Sequence, residues 1–230
     1  MSEKGADVMR DVLKWVALCM GILTASAVAI GCSTTCVYGY YGGVCYNYGY
    51  YYDSLVSGLS YESSGEAGVQ TGVTGEDAEG GPGSFRFIDG DTVSFSLGDT
   101  VLGESDAKDR ITPFDLAGLD EEAIGGCDVS SSLPDGDRAF RVVANLAALL
   151  QSLDTDGDPA NGIDISSDVS VLFDGVDIDL SQTWEEFQAN ADLQAVLEEA
   201  NNRQLFPDTR TLHDRIDALR ALYQGIDLCP

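Results

Sequence analysis

Asp154, Asp156 and Asp158 occupy alternate positions in the stretch SLDTDGDPANGIDIS, residues 152–166, and Asn161 and Asp164 follow closely. Carboxylates packed this tightly along a chain repel one another unless solvent or a hard cation intervenes. Calcium takes about six to eight oxygen ligands in a flexible geometry, which these side chains could begin to supply. One expectation is therefore a cation site made of these residues, with calcium as a structural ion. The other is a plain turn, because Asp, Gly, Pro and Asn are also the residues that end helices and reverse the chain. An EF-hand is excluded by position: counted from Asp154, the place that needs Gly is taken by Pro159, and the place that needs a bidentate Glu by Ile165. Asp174, Asp177 and Asp179 form a second acidic group, which reads as a solvated face in so acidic a chain.

Signatures of catalysis are sparse. The chain has no G-x-S-x-G elbow, no phosphate-binding P-loop and no dinucleotide fingerprint. Its single histidine, His213, lies in RTLHDRIDALRAL at the edge of an apolar helical face, where a structural role is expected. Paired carboxylates acting on a polysaccharide remain an alternative, since acids are plentiful, although Trp184 is the sole tryptophan beyond the N-terminal segment to serve as a sugar platform. The reading is therefore non-enzymatic, with that hydrolase, or an accessory subunit of an envelope assembly, as alternatives.

Charge narrows the partners. The 230 residues carry 39 Asp and Glu against 12 Lys and Arg, a net −27. Nucleic acid is excluded, because duplex binding depends on Lys and Arg displacing counterions from phosphates. Residues 1–31 balance Lys4, Arg10 and Lys14 against Glu3, Asp7 and Asp11, so the whole excess falls on the remainder, where Lys108 is the only lysine. Self-repulsion of this kind is screened where the Debye length shrinks to about 3 Å near 1 M salt, which points to a saline or halophilic exterior. Simple solubility and bulk cation binding fit the same composition.

The N-terminus reads as an address. Basic residues precede an apolar run from Trp15 to Ile30, shorter than the roughly 20 residues of a stable span, and small residues precede Cys32. Ala29-Ile30-Gly31-Cys32 resembles the bacterial lipobox, which implies removal of residues 1–31, a diacylglyceryl group on Cys32 and, with Ser33 next, outer-membrane or cell-surface localisation. An uncleaved anchor is the other reading, and both tie the protein to a membrane. Cys36, Cys45, Cys127 and Cys229 would then sit in an oxidising compartment. The favoured pairs are Cys36 with Cys45 and Cys127 with Cys229, and no Cys/His spacing suggests zinc.

The elements that must position these groups follow from periodicity. Residues 36–52 hold eight tyrosines and four glycines, and residues 32–52 read as a tether. From Asp53 the pattern becomes strand-like, with Phe85 and Phe87, then Val93, Phe95 and Leu97, alternating with polar residues around Asp89-Gly90 and Gly98-Asp99 turns. This predicts an antiparallel meander or small sandwich, preceded by a mobile acidic loop at 75–83. Residues 137–153 place Phe140, Val143, Leu146, Leu150 and Leu153 on one face of a buried helix. Further helices are expected from Ser181 or Thr183 through residue 201, and after Pro207. The fold class is thus α+β, with an acidic domain over 53–230 that is β-rich at 53–112 and helical at 113–230.

The stretches DSLVSGLSY, GSFRFIDGDTVSFSLGDTVLG, ITPFDLAG and ANLAALLQSLDTDGDPANGIDIS together resemble a module of cell-surface lipoproteins and adhesin-like proteins of marine and other gammaproteobacteria. The first two also resemble the sandwich pattern of carboxypeptidase-regulatory-like domains. The resemblance implies surface display and a binding or structural role toward a cell-surface protein or glycan, and brings no catalytic residues with it.

Overall fold

Tyrosines alternate with smaller residues through 45–51, and in an extended chain alternate side chains face opposite sides. In the computed structural model, which describes residues 35–39, 42–121, 129 and 133–228, this stretch is built into the fold. Strand β1 (Thr35–Gly39) pairs antiparallel with β2 (Gly42–Tyr51), setting Cys36 directly opposite Cys45. Strand β2 also pairs antiparallel with β6 (Ser84–Phe87) and parallel with β9 (Arg110–Ile111). Tyr46, Tyr48 and Tyr51 are buried, and the Tyr51 ring meets Phe95 edge-on at 5.0 Å. Gly49 has a specific reason to be glycine, since a Cβ there would overlap the Phe85 ring and the Lys108 carbonyl. Residues 42–51 are therefore a strand rather than the expected free tether. Their tyrosines bring enough apolar ring to be buried, and the glycine lets a neighbouring ring close over the backbone.

A second sheet has the order β5-β4-β7-β8, from β4 (Ser60–Gly65), β5 (Gly68–Val73), β7 (Thr92–Leu97) and β8 (Thr100–Asp106), all antiparallel. Val93, Phe95 and Leu97 face inward, as their alternation predicts. The expected meander holds only for β7 and β8, because β6 pairs with β2 in the other sheet. Asp91 fixes the turn between β6 and β7. Its buried carboxylate accepts from Ile88 N at 3.0 Å and from Ser63 Oγ at 2.8 Å, so the turn after β6 is tied down onto β4 and passes the chain between sheets. The acidic loop is tied down as well, with Asp77 3.6 Å from Arg86 and the Gly80 carbonyl accepting from the Tyr50 hydroxyl.

The helices follow in the C-terminal half, and the fold is α+β. They are α1 (Pro113–Leu116), α2 (Leu133–Gly136), α3 (Arg138–Ser152), α4 (Ser167–Ser170), α5 (Trp184–Gln188), α6 (Ala191–Asn202) and α7 (Arg215–Gly225). Asp137 caps α3 by accepting from Ala139 N and Phe140 N. Leu146, Leu149, Leu150 and Leu153 join the main core with the strands, whereas Val143, Ala144, Ala147 and Ala148 meet Ala218, Leu219 and Leu222 of α7. Burial on two sides is why the apolar face of α3 is so broad. The expected second helix divides at Asn190, whose side chain caps α6 through Asp192 N and Leu193 N. The third begins late, at the Asp214 cap, because Asn201 hydrogen-bonds both backbone groups of Arg210 and holds that segment out of a helix.

A chain begun at Asp53 lacks β2. Its thermal melt, followed by far-ultraviolet circular dichroism, is expected to lose its cooperative transition, a loss comparable with the about 5–15 kcal/mol that keeps a domain folded. An unchanged midpoint would return residues 42–51 to the role of a spacer.

Candidate cation site

The acidic turn begins where α3 stops at Leu153. Asp154 points inward and is 1% exposed. Its Oδ1 accepts from Asp164 N at 2.9 Å, which joins the two ends of the turn, while its Oδ2 is buried without a hydrogen-bond partner. Asp156 accepts from Asp158 N at 2.9 Å and from Asn161 Nδ2 at 3.0 Å. Asp158 caps the 3-10 turn Pro159–Asn161 by accepting from Ala160 N. Thr155 donates through both its N–H and its hydroxyl to the Asp164 carbonyl. Gly162, at φ 114°, then delivers β10 (Ile163–Asp164) into parallel pairing with β3 (Val56–Ser57).

Of the five residues singled out by spacing, the turn thus brings Asp154 and Asp156 together. Asp158 and Asn161 use their side chains inside the turn, and Asp164 contributes its backbone while its side chain faces solvent. Burial raises the pKa of Asp154, and the neighbouring Asp156 carboxyl adds to the rise. Asp156 is lowered, first by the Asn161 amide, then by the Asp158 N–H, with the Arg210 guanidinium helping. Two ionised carboxylates are both acceptors and cannot bond one another, so a shared proton or a cation is the way to reconcile them. The location adds to the demand. The last turn of α3 carries no basic residue, and a helix C-terminus concentrates partial negative charge.

One cation of the chain itself stands beside the turn. Arg210 Nη2 donates to the Asp154 carbonyl at 3.4 Å, and the guanidinium lies 5.5 Å from the Phe206 ring centroid. It packs over Gly157, which has φ 77°. Among the described residues no three of His, Cys, Asp and Glu converge so as to hold a metal ion. A cation here would therefore take the two carboxylates together with other oxygens of the turn, not a shell of five side chains.

The remaining expected site residues are distributed elsewhere. Cys32, Cys127 and Cys229 lie outside the described residues. Asp174, Asp177 and Asp179 face solvent, and Asp179 accepts from Ser181. His213 is exposed just before α7, with its backbone N–H on Ser152 Oγ at 2.7 Å. Trp184 packs near Phe187 and Arg215, and it does not line the open cleft of about 590 Å³ bordered by Asp89, Lys108, Asp109, Arg110, Asp115 and Glu121. The two cations of that cleft are paired, Lys108 with Asp115 at 2.7 Å and Arg110 with Glu121 at 3.2 Å. No helix of the described residues is long and apolar enough to cross a membrane.

Sequence reasoning passed over Asp53. Its carboxyl is fully buried, desolvation pushes it up to about 8, and the Gln151 amide opposes the rise. The available signal was Gln151 itself, a polar residue between Leu150 and Leu153 on the most apolar helix. No protein-family model, curated protein or solved structure matches the chain.

Replacing Gly157 with Ala would force a side chain into the left-handed region and against the Arg210 guanidinium. Urea unfolding is expected to show a loss of about 1–3 kcal/mol. A loss below a few tenths would mean that Arg210 is not held over the turn.

Proposed function

We propose that the chain is an exported, lipid-anchored module of the outer membrane or cell surface that serves a binding or structural role toward a surface protein or glycan. Calcium, taken up at the 154–164 turn, is its structural ion. The observation that supports calcium is the Asp154 carboxyl, whose Oδ2 is buried without a partner and within reach of Asp156, at the C-terminal end of a helix with no basic residue in its last turn. A hard divalent cation satisfies that oxygen, neutralises the pair and suits the helix end together. Export rests on the lipobox-like AIGC segment, and the saline exterior on the acidic excess. A disulfide between Cys36 and Cys45 fits the same compartment. Directly opposed residues of an antiparallel ladder have Cα atoms about 4.5–5.5 Å apart, within the span of the bridge. The proposed Cys127–Cys229 bridge rests on the compartment alone.

Thermal unfolding of the full-length protein in detergent, at high fixed salt, tests the ion. Calcium at a hundredfold excess over its dissociation constant is expected to add about 2.7 kcal/mol relative to chelator. Asp154→Asn should abolish that response while leaving the chelated protein no less stable, because it removes a buried charge that burial and the Asp156 carboxyl both disfavour. A wild-type midpoint indifferent to calcium would remove the ion from the reading. Cys32→Ser is expected to move the protein from the membrane fraction to the soluble one, and continued membrane attachment would favour an uncleaved anchor.

A further inference from the structure

The end of β2 carries Asp53 into the seam between α3 and α7, where its carboxyl is 0% exposed. Both of its oxygens share the single Nε2 of Gln151, at 3.0 and 3.3 Å, and the same nitrogen donates to the Ala218 carbonyl of α7 at 3.0 Å. One amide thus ties the end of a strand to two helices. A carboxylate offers about four acceptor sites and a full charge, and one shared amide donor in an apolar seam answers neither. The place suits the neutral acid. Gln151 Oε1, on the same amide that reaches this carboxyl, is buried without a partner, and a protonated carboxyl brings a donor to the site.

The groups facing Asp53 are few. From β2 comes Tyr51, whose hydroxyl feels Asp53 and, from α1, Asp115. From α3 comes the Gln151 amide, and from α7 the Ala218 carbonyl. None of these facing groups is a cation, and of them the Gln151 amide alone favours the anion. Burial accordingly pushes Asp53 up to about 8. The backbone just beyond is strained, with Ser54 at φ 62° and Leu55 at φ 32°. Gly225, at the end of α7, lies so close to Ser54 that a Cβ there would meet the Ser54 nitrogen at 2.8 Å.

We propose that Asp53 is a proton-operated latch: as a neutral acid it holds the strained 52–55 turn and α7 against α3, and as a carboxylate it lets them go. The sign follows from linkage. Opening exposes a carboxyl of ordinary acidity, about 4, whereas the closed state keeps its proton up to about pH 8. Between those values opening releases one proton. The latch is therefore fully closed at low pH, its opening equilibrium grows about tenfold per pH unit, and it levels off above pH 8.

Hydrogen exchange of the full-length protein in detergent between pH 5 and 9, corrected for intrinsic amide chemistry, reads this directly. Amides of α7 are expected to lose protection about tenfold per unit up to pH 8 while those of β7 do not follow, and Asp53→Asn should flatten the dependence with α7 closed throughout. A flat wild-type profile, an equal slope in Asp53→Asn or an equal response of β7 would overturn the latch. Should Asp53→Asn fail to fold, the infrared band of a protonated carboxylic acid decides in the wild type. Its presence at pH 6 and loss near pH 8 support the latch, and its absence at pH 6 overturns it.

Discussion

The hydrogen-bonded ladder of β2 is the constraint on which the rest depends. Tyr50 pairs on one edge with β6 and on the other with β9, so the strand is interior to its sheet at that point. The next residue, Tyr51, reaches the ring of Phe95 in the second sheet, and two residues further Asp53 meets the central helix. Removing this ladder would leave β6 without a partner strand and uncover Phe85, whose ring sits where any side chain at position 49 would have to go. A chain whose acids repel one another at low salt needs such a continuous apolar centre. The Phe85, Phe87 and Phe95 rings supply it, with α3 closing over them.

Helix α3 gathers at its C-terminal end the two carboxyls that, among the described residues, burial raises. Asp53 is held by Gln151, in the last turn, and Asp154 follows directly after the Leu153 cap. A helix C-terminus disfavours negative charge, and this one has no lysine or arginine of its own to offset it. The two sites answer differently because their surroundings differ. Asp53 lies in a seam of neutral and acidic groups and resolves its charge by keeping a proton. Asp154 lies beside Asp156 and an arginine in a turn that reaches solvent, where a cation can enter.

Much of this was legible in the residues. The period of α3 and the alternation of Val93, Phe95 and Leu97 are direct records of burial, and both match their elements. The start of α5 was legible as Ser181 or Thr183, and the structure uses Thr183, whose capping box is completed by Glu186. What could not be read was pairing between distant segments. Nothing in the SFRF segment says that its partner is the tyrosine stretch almost forty residues earlier rather than the strand that follows it, because the ladder between them is made of backbone groups that every residue carries. The tyrosine stretch itself was obscured by composition, because its repetitiveness resembles a linker while its alternation is that of a strand. At the acidic turn, spacing drew attention to the carboxylates but did not give their direction. Asp158 and Asn161 turn back to cap and brace the loop, a choice made by local backbone donors that spacing does not encode.

The most direct measurement is residue-resolved hydrogen exchange across residues 46–52 of the full-length protein at neutral pH. Amides of Tyr50, Tyr51 and Tyr52, which donate to the carbonyls of Asp109, Gly83 and Ile111, should be protected to the same order as those of β7. Exchange there at the rate of an unstructured chain would mean that β2 does not join the two sheets, and that the burial of Asp53 beneath it is wrong as well.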